Sequence, residues 1–204
     1  MWQTHSIRRL NHIDKNLTHN KMNTEIVNRL SQFRALMAQE GIDAAIIPQA
    51  DPHQGEYLAP HWQVRRWLSG FTGSAGDLVI TADKAALWTD SRYFLQAAQQ
   101  LEGSGIELMK DGLAETPTME QWICANEPKG ATVGLDGMLF TRGAVESLRL
   151  AFGAAGLNLV SNFDVIDRIW LDRPALPEGK IFVHDIKYAG KDARTKIDLI
   201  IKDA

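Results

Sequence analysis

The chain is predicted to be an α/β domain, a mixed β-sheet with helices on both faces. Three observations carry this. Short apolar runs such as 42–48 and 131–135 alternate along the chain with segments of helical spacing. The runs are too brief for helices and too continuously apolar for a half-solvated sheet, which points to buried strands. One pair of runs, 78–81 and 85–88, is separated only by Ala82-Asp83-Lys84 and reads as a hairpin, the antiparallel part of a sheet otherwise connected through helices.

Residues 1–22 are polar and show no sustained period, so they are read as a flexible leader in which Met22 offers a second start. His5, His12 and His19 fall seven apart on one helical face. Without carboxylates or cysteines converging on them they are not read as a metal site. From Asn23 or Thr24, both good N-caps, a helix is expected with Ile26, Val27, Leu30, Phe33, Leu36 and Met37 on one face and Gly41 past its end. The strand 42–48 follows, then a long loop to the hairpin. Asp90 or Ser91 is expected to cap a helix carrying Tyr93, Phe94, Ala97, Ala98 and Leu101. A strand over 106–109, a short helix over 120–126 ending before Pro128, and a strand over 131–135 come next. Thr141 opens a helix with Val145, Leu148 and Phe152 on one face and Gly156 past its end, and 157–160 is the last strand of the domain.

Beyond Trp170 the composition shifts to Asp172, Arg173, Pro174, Pro177, Glu178 and Gly179, the signature of a linker. The division expected is a leader over 1–22, a domain over 23–172, a linker over 173–180 and the start of a second domain over 181–204. In that last piece Ile181-Phe182-Val183 suggests a strand and 192–202 a helix.

A length of 204 residues suits one ordinary domain and the beginning of another, and 45% hydrophobic against 23% charged residues is enough for a real core. A net charge of −3 argues against nucleic acid as a partner. No run is long and apolar enough to span a bilayer, and the first residues lack the apolar block of a secretory signal. The single cysteine, Cys124, sits on an apolar stretch and reads as a buried, inert thiol. These features together point to a cytoplasmic protein without a membrane partner.

The stretch 51–94 is the densest in aromatic, glycine and charged residues. Its order, Asp51-x-His53-x-x-Glu56-Tyr57-x-Ala59-Pro60, then Arg65-Arg66-x-x-Ser69-Gly70-Phe71-Thr72-Gly73-Ser74-Ala75-Gly76, then Trp88-Thr89-Asp90-Ser91-Arg92-Tyr93-Phe94, resembles the amino-terminal, creatinase/prolidase-type domain of the long, three-domain Xaa-Pro aminopeptidases of the M24 metallopeptidase family. The likeness continues through Lys110-Asp111-Gly112-Leu113, Thr116-Pro117-Thr118 and Ile169-Trp170-Leu171-Asp172-Arg173-Pro174, covering about residues 25 to 190. Each motif alone is weak; so many in one order and spacing are specific.

The resemblance implies a ribonuclease-H-like layered fold, with a second domain of similar shape starting near residue 180. It implies that the whole protein is a hydrolase removing the residue before a proline at position two, with peptides of that kind as partners and a homodimer as the working form. It places two divalent metal ions, manganese by preference, in a carboxy-terminal catalytic domain outside this chain, so that no cofactor and no catalytic residue is expected here. It also implies substrate-binding roles for His53, Tyr57 and Arg92. The alternative is a freestanding module that binds peptides or proteins on a Trp-lined surface. The apolar tail at 180–204 favours part of a larger protein.

The residues themselves add limits. Asp51, His53, Glu56, His61, Asp77 and Asp90 are ligand types in a short span, but Pro52 and Gly55 make the first of them a turn in which Asp51 is expected to cap backbone N–H groups. The run 69–76 lacks the Gly-Lys-Ser/Thr ending of a phosphate loop and precedes a strand, so its glycines are read as allowing close backbone approach. Trp62 and Trp67 either anchor a dimer contact or pack inward over the loop. Arg92 sits where a helix N-terminus disfavours a cation. Either a neighbouring carboxylate such as Asp90 holds it, or its planar fork reaches toward bound peptide.

Overall fold

The computed structural model describes residues 23–203; the leader expected over 1–22, with its three histidines, lies outside the described residues. Six strands form one sheet in the order β4-β3-β2-β1-β5-β6, with β1 Ala44–Ile47, β2 Asp77–Thr81, β3 Ala85–Thr89, β4 Glu107–Lys110, β5 Thr132–Leu135 and β6 Asn158–Val160. β2 pairs antiparallel with β1 and β3, and the remaining pairings are parallel, so β2 alone runs against the others. The α/β class and the mixed sheet are as expected, and strand ends differ from the sequence reading by a residue or two.

Alternation along β1 divides the interior. Ala45 and Ile47 face a core with Ile26, Leu30, Phe33 and Met37 of α1 (residues 23–40), Val64 and Leu68 of α2 (Val64–Ser69) and Ala97 and Leu101 of α3 (Phe94–Leu101). Ala44 and Ile46 face the other core, with Trp122 and Ile123 of α4 (Met119–Asn126) and Leu148 and Phe152 of α5 (Arg142–Ala155). Side chains of successive strand residues point to opposite faces, so both faces need cover. Helices supply it on each side, as the fold class requires.

Local chemistry fixes the ends. α1 closes with Gly41 N–H on the Ala38 carbonyl and Ile42 N–H on the Met37 carbonyl, and α5 closes in the same way at Gly156 and Leu157. Thr118 caps α4, its hydroxyl accepting from Gln121 N while the Gln121 side chain accepts from Thr118 N. Thr141 caps α5 through Ala144 N. The β2–β3 turn is held from outside by Arg34, which donates to the Thr81 and Lys84 carbonyls.

Three expectations need correction. α3 begins at Phe94 with Tyr93 as its N-cap, so neither Asp90 nor Ser91 caps it. Asp90 instead accepts from Arg92 N two residues on and closes the turn before the helix. Ile181-Phe182-Val183 is not a strand, and among the described residues no strand lies alongside to pair with it. Within the supposed loop after β1 lies α2, a six-residue helix the sequence reading passed over.

The segment after the domain leaves it through a clasp. Arg173 donates to the His61 carbonyl and pairs with Asp167, its guanidinium lies 5.5 Å from the Trp62 ring, and His61 Nδ1 meets the Pro174 carbonyl at 2.7 Å. Trp67 stacks on Trp170 with ring centroids 5.0 Å apart, and the Arg29 guanidinium lies over the Trp67 ring at 4.6 Å. Both tryptophans are thus engaged within the domain. Past the clasp, α6 (Ile186–Ala189) and α7 (Ala193–Asp203) bury no residue, and Ile181, Phe182, Val183, Ile200 and Ile201 stand exposed.

Candidate functional site

Because β1, β3, β4, β5 and β6 run the same way, their carboxyl ends share one edge of the sheet. The loops after β1 and β3 emerge there, and so does the glycine-rich run feeding β2 from the opposite direction. Chain order also reverses between β1 and β5, the place where open α/β sheets form a crevice. The predicted site residues all lie on this edge.

Asp51 organises the first loop. Its Oδ1 accepts from His53 N at 2.9 Å and Gly55 N at 3.0 Å, the turn-capping role expected. Those backbone donors, Gly55 first, hold its carboxyl below the usual range. Gln54, with φ of 56°, donates to the Asp51 and Leu139 carbonyls and so ties the loop after β1 to the turn after β5. The result presents His53 and Tyr57 outward, Tyr57 at 88% exposure.

Arg92 lies on the next loop. Asp90 grips it with both oxygens, Nε to Oδ1 at 2.9 Å and Nη2 to Oδ2 at 2.7 Å. The hydrogen bond from Arg92 lowers the Asp90 carboxyl, and the same partner raises the guanidinium. The Arg92 side chain is still 67% exposed. Glu56, Tyr57 and Ser74 line one hollow and Ser74 bonds Tyr93, so the loops carrying Tyr57 and Arg92 are neighbours. His53 makes its polar contact through the backbone, on the Asp51 turn.

Behind this surface lies a residue that the sequence reading did not single out. Arg65 is 1% exposed. Its Nε and Nη2 both donate to Gln49 Oε1, at 2.9 and 2.6 Å, and Nη2 also donates to the Gly73 carbonyl. Burial pulls its pKa down to about 10, while Asp77 nearby opposes the change. The Arg65 guanidinium lies over Phe71, Phe71 meets Tyr93 edge-on, and Arg92 lies over Tyr93, so a stack of cations and rings connects the interior to the edge. Tyr93 is fixed from the other side by Ser74, the two hydroxyls 2.7 Å apart. A hollow of about 170 Å³ opens beside Arg65, walled by Gln49, Glu56, Tyr57, Arg66, Gly73 and Ser74. The available signal was spacing: Arg65 and Ser69 stand four apart beside the buried pair Val64 and Leu68.

The glycines of the run serve close approach, as expected. A Cβ at Gly73 would sit 2.3 Å from the Phe71 ring and 2.9 Å from the Tyr93 ring. Tyr93 could not reach Ser74 past a larger residue there.

Comparison with known proteins decides what this edge belongs to. Residues 29–169 match the Creatinase/Prolidase N-terminal domain. The chain belongs to that family. Aminopeptidase P2 of Arabidopsis thaliana is 45% identical over 184 residues, which is 87% of this chain and 26% of the relative. A probable Xaa-Pro aminopeptidase P of Pyrenophora teres f. teres is 40% identical over 88% of this chain and 27% of the relative. Among solved structures, the X-prolyl aminopeptidase of Caenorhabditis elegans, a cytosolic enzyme with a di-nuclear active site, superposes with a TM-score of 0.76 at 32% identity, over 89% of this chain and 31% of that one. The chain therefore spans about a quarter of the length of the curated relatives it matches.

The creatinase-type domain offers no convergent set for metals among its described residues: no three His, Cys, Asp or Glu side chains come together. Asp51 is spent on its turn, Asp77 accepts from Gln49 N, Asp90 holds Arg92 and His61 holds Pro174. A di-nuclear site does not fit these residues. No helix among the described residues is long and apolar enough to cross a membrane.

Proposed function

We propose that this chain is the amino-terminal, non-catalytic domain of a longer Xaa-Pro aminopeptidase, which hydrolyses the bond between the first residue of a peptide and a proline at position two. The observation that carries the reading is 45% identity over 87% of the chain to an aminopeptidase P, with residues 29–169 falling in a domain family that such enzymes share. In this reading 23–172 is the folded unit, 173–180 is the connection, and 181–204 belongs with a second domain that covers the exposed apolar residues of the tail. Two divalent metal ions, manganese by preference, sit in a catalytic domain elsewhere in the polypeptide, and this chain alone does not turn over peptide. The enzyme is cytoplasmic and works as a homodimer.

The role of the domain is to wall the substrate cleft. Arg92, Tyr57 and His53 stand on one edge, exposed on loops that leave the sheet, which is how a scaffold presents contacts to a peptide held by a neighbouring domain. Asp90 fixes the Arg92 fork without covering it. The exposed apolar residues after 180 weigh against a freestanding module.

The test is hydrolysis by the longest polypeptide the gene encodes, supplied with manganese, of X-Pro peptides against X-Ala controls. Release of the first residue from the X-Pro peptides alone is the expected result. Sedimentation of that polypeptide as a dimer is expected alongside. No cleavage of X-Pro peptides by metal-loaded polypeptide sinks the reading.

A further inference from the structure

The Arg65 guanidinium is short of one partner. Nε and Nη2 are satisfied by Gln49 and Gly73, but Nη1 is buried and has no hydrogen-bond partner among the described residues. Buried donors left unmade are rare, and a donor on a cation is the most costly kind. The acceptors it does have are neutral carbonyl oxygens. The nearest acid to act on it, Asp77, does so at a distance and spends an oxygen on Gln49 N. Charge and hydrogen bonding are therefore both incomplete at Arg65, a residue that lines the hollow of about 170 Å³.

The walls state what would complete it. Arg66 adds a second cation, tethered to Gln63 through one nitrogen with its other donors free to turn. Glu56 supplies one acceptor at the rim, where a multiply charged anion would be repelled and an amide N–H welcomed. Two guanidinium groups against one carboxylate leave the hollow net positive, with room for a small planar anion carried on an amide.

We propose that this hollow binds a carboxylate, the free C-terminal carboxylate of a short peptide, with Arg66 as donor, the under-compensated charge of Arg65 behind it and Glu56 receiving the adjoining amide N–H. That the carboxylate is a peptide's rests on the peptidase reading; the preference for a carboxylate rests on the hollow alone. The domain then measures peptide length as well as walling the cleft, because only a peptide whose C-terminus reaches this edge gains the contact.

The experiment follows the arginine Nε–Hε resonances of the 204-residue chain by NMR during titration with three probes: the tripeptide Ala-Pro-Gly as free acid, the same tripeptide as C-terminal amide, and sodium acetate. The free acid is expected to move the Arg65 side-chain signal and the Ser74 amide, with the C-terminal amide binding about tenfold more weakly for loss of a charge-assisted bond. Arg66→Gln, on an exposed residue that leaves the fold intact, should weaken the free acid several-fold and leave the C-terminal amide unchanged. Equal binding of acid and amide, or an Arg65 signal that no probe moves, overturns the proposal. Acetate binding as tightly as the free acid overturns its peptide part. An enzyme inert on X-Pro peptides refutes the peptidase reading without touching this titration, and an active enzyme with a silent titration refutes the hollow alone.

Discussion

Gly76 and Gly153 carry the same substitution to opposite outcomes. Gly76 enters β2 with φ of +132°, and a Cβ there would lie 2.2 Å from the Trp88 carbonyl oxygen. The obstacle is backbone, in the first rung of the β2–β3 ladder, where Asp77 faces Trp88. It cannot swing aside as a side chain does. An L-residue held in that conformation costs about 1–3 kcal/mol, and forcing a methyl into an occupied site costs about 1–3 kcal/mol more. Gly76→Ala should therefore lose roughly 2–6 kcal/mol, a large share of the roughly 5–15 kcal/mol that holds such a domain. Gly153 lies in α5 with nothing within 4 Å of its built Cβ. There the same change should gain about 0.5–1 kcal/mol by removing the entropy cost of a helical glycine. Urea unfolding of both variants beside the parent gives the free energies directly. A Gly76→Ala chain within about 1 kcal/mol of the parent, below the smallest strain and overpacking sum allowed here, would refute the close-approach argument for the whole run.

Three further outcomes are expected. Burial holds the Asp77 carboxyl above its ordinary range, so the folded chain binds that proton more tightly than the unfolded one. The stability it contributes is present below about pH 4 and is lost as pH rises through the raised folded value. Asp77→Asn, which keeps an acceptor for Gln49, should flatten that part of the stability profile, and a profile identical to the parent's would show the carboxyl to be unshifted. Thr118→Ala removes the cap of α4 and should cost about 1 kcal/mol, or about 2–4 °C in Tm for a chain of this size. Arg92→Lys in the longest encoded polypeptide should lower kcat/KM on X-Pro peptides roughly ten- to a hundredfold. Its Tm should stay unchanged, since exposed ion pairs add little stability. A variant that melts earlier yet cleaves normally would make Arg92 structural.

Elements with a repeating face were legible. α1 shows Ile26, Leu30, Phe33 and Met37 at helical spacing, and the core is built on those side chains. α2 was not, because its period is too short to register and its buried face includes a charge. Hydropathy reads Arg65 as solvent, and only Gln49 and Gly73, brought in by other parts of the fold, make its burial tolerable. Ile181-Phe182-Val183 failed for the opposite reason. It has strand composition, but a strand exists only as a pair, and no described strand lies alongside it.

The two arginines of the site show the same limit from both sides. In sequence, Arg92 is a cation before a helix and wants a partner, yet the helix starts only at Phe94, and Asp90, two residues away, grips the guanidinium with both oxygens. Arg65 gives no such sign in sequence, sitting in an Arg-Arg pair with the composition of an exposed face. Its companion Arg66 is indeed exposed, while Arg65 lies inside with a donor unmet. Proximity in sequence settles the charge that a neighbour can reach; the deficit of a buried donor depends on what two separate loops, those of Gln49 and Gly73, bring to it. The stack from Arg65 through Phe71 and Tyr93 to Arg92 joins the two.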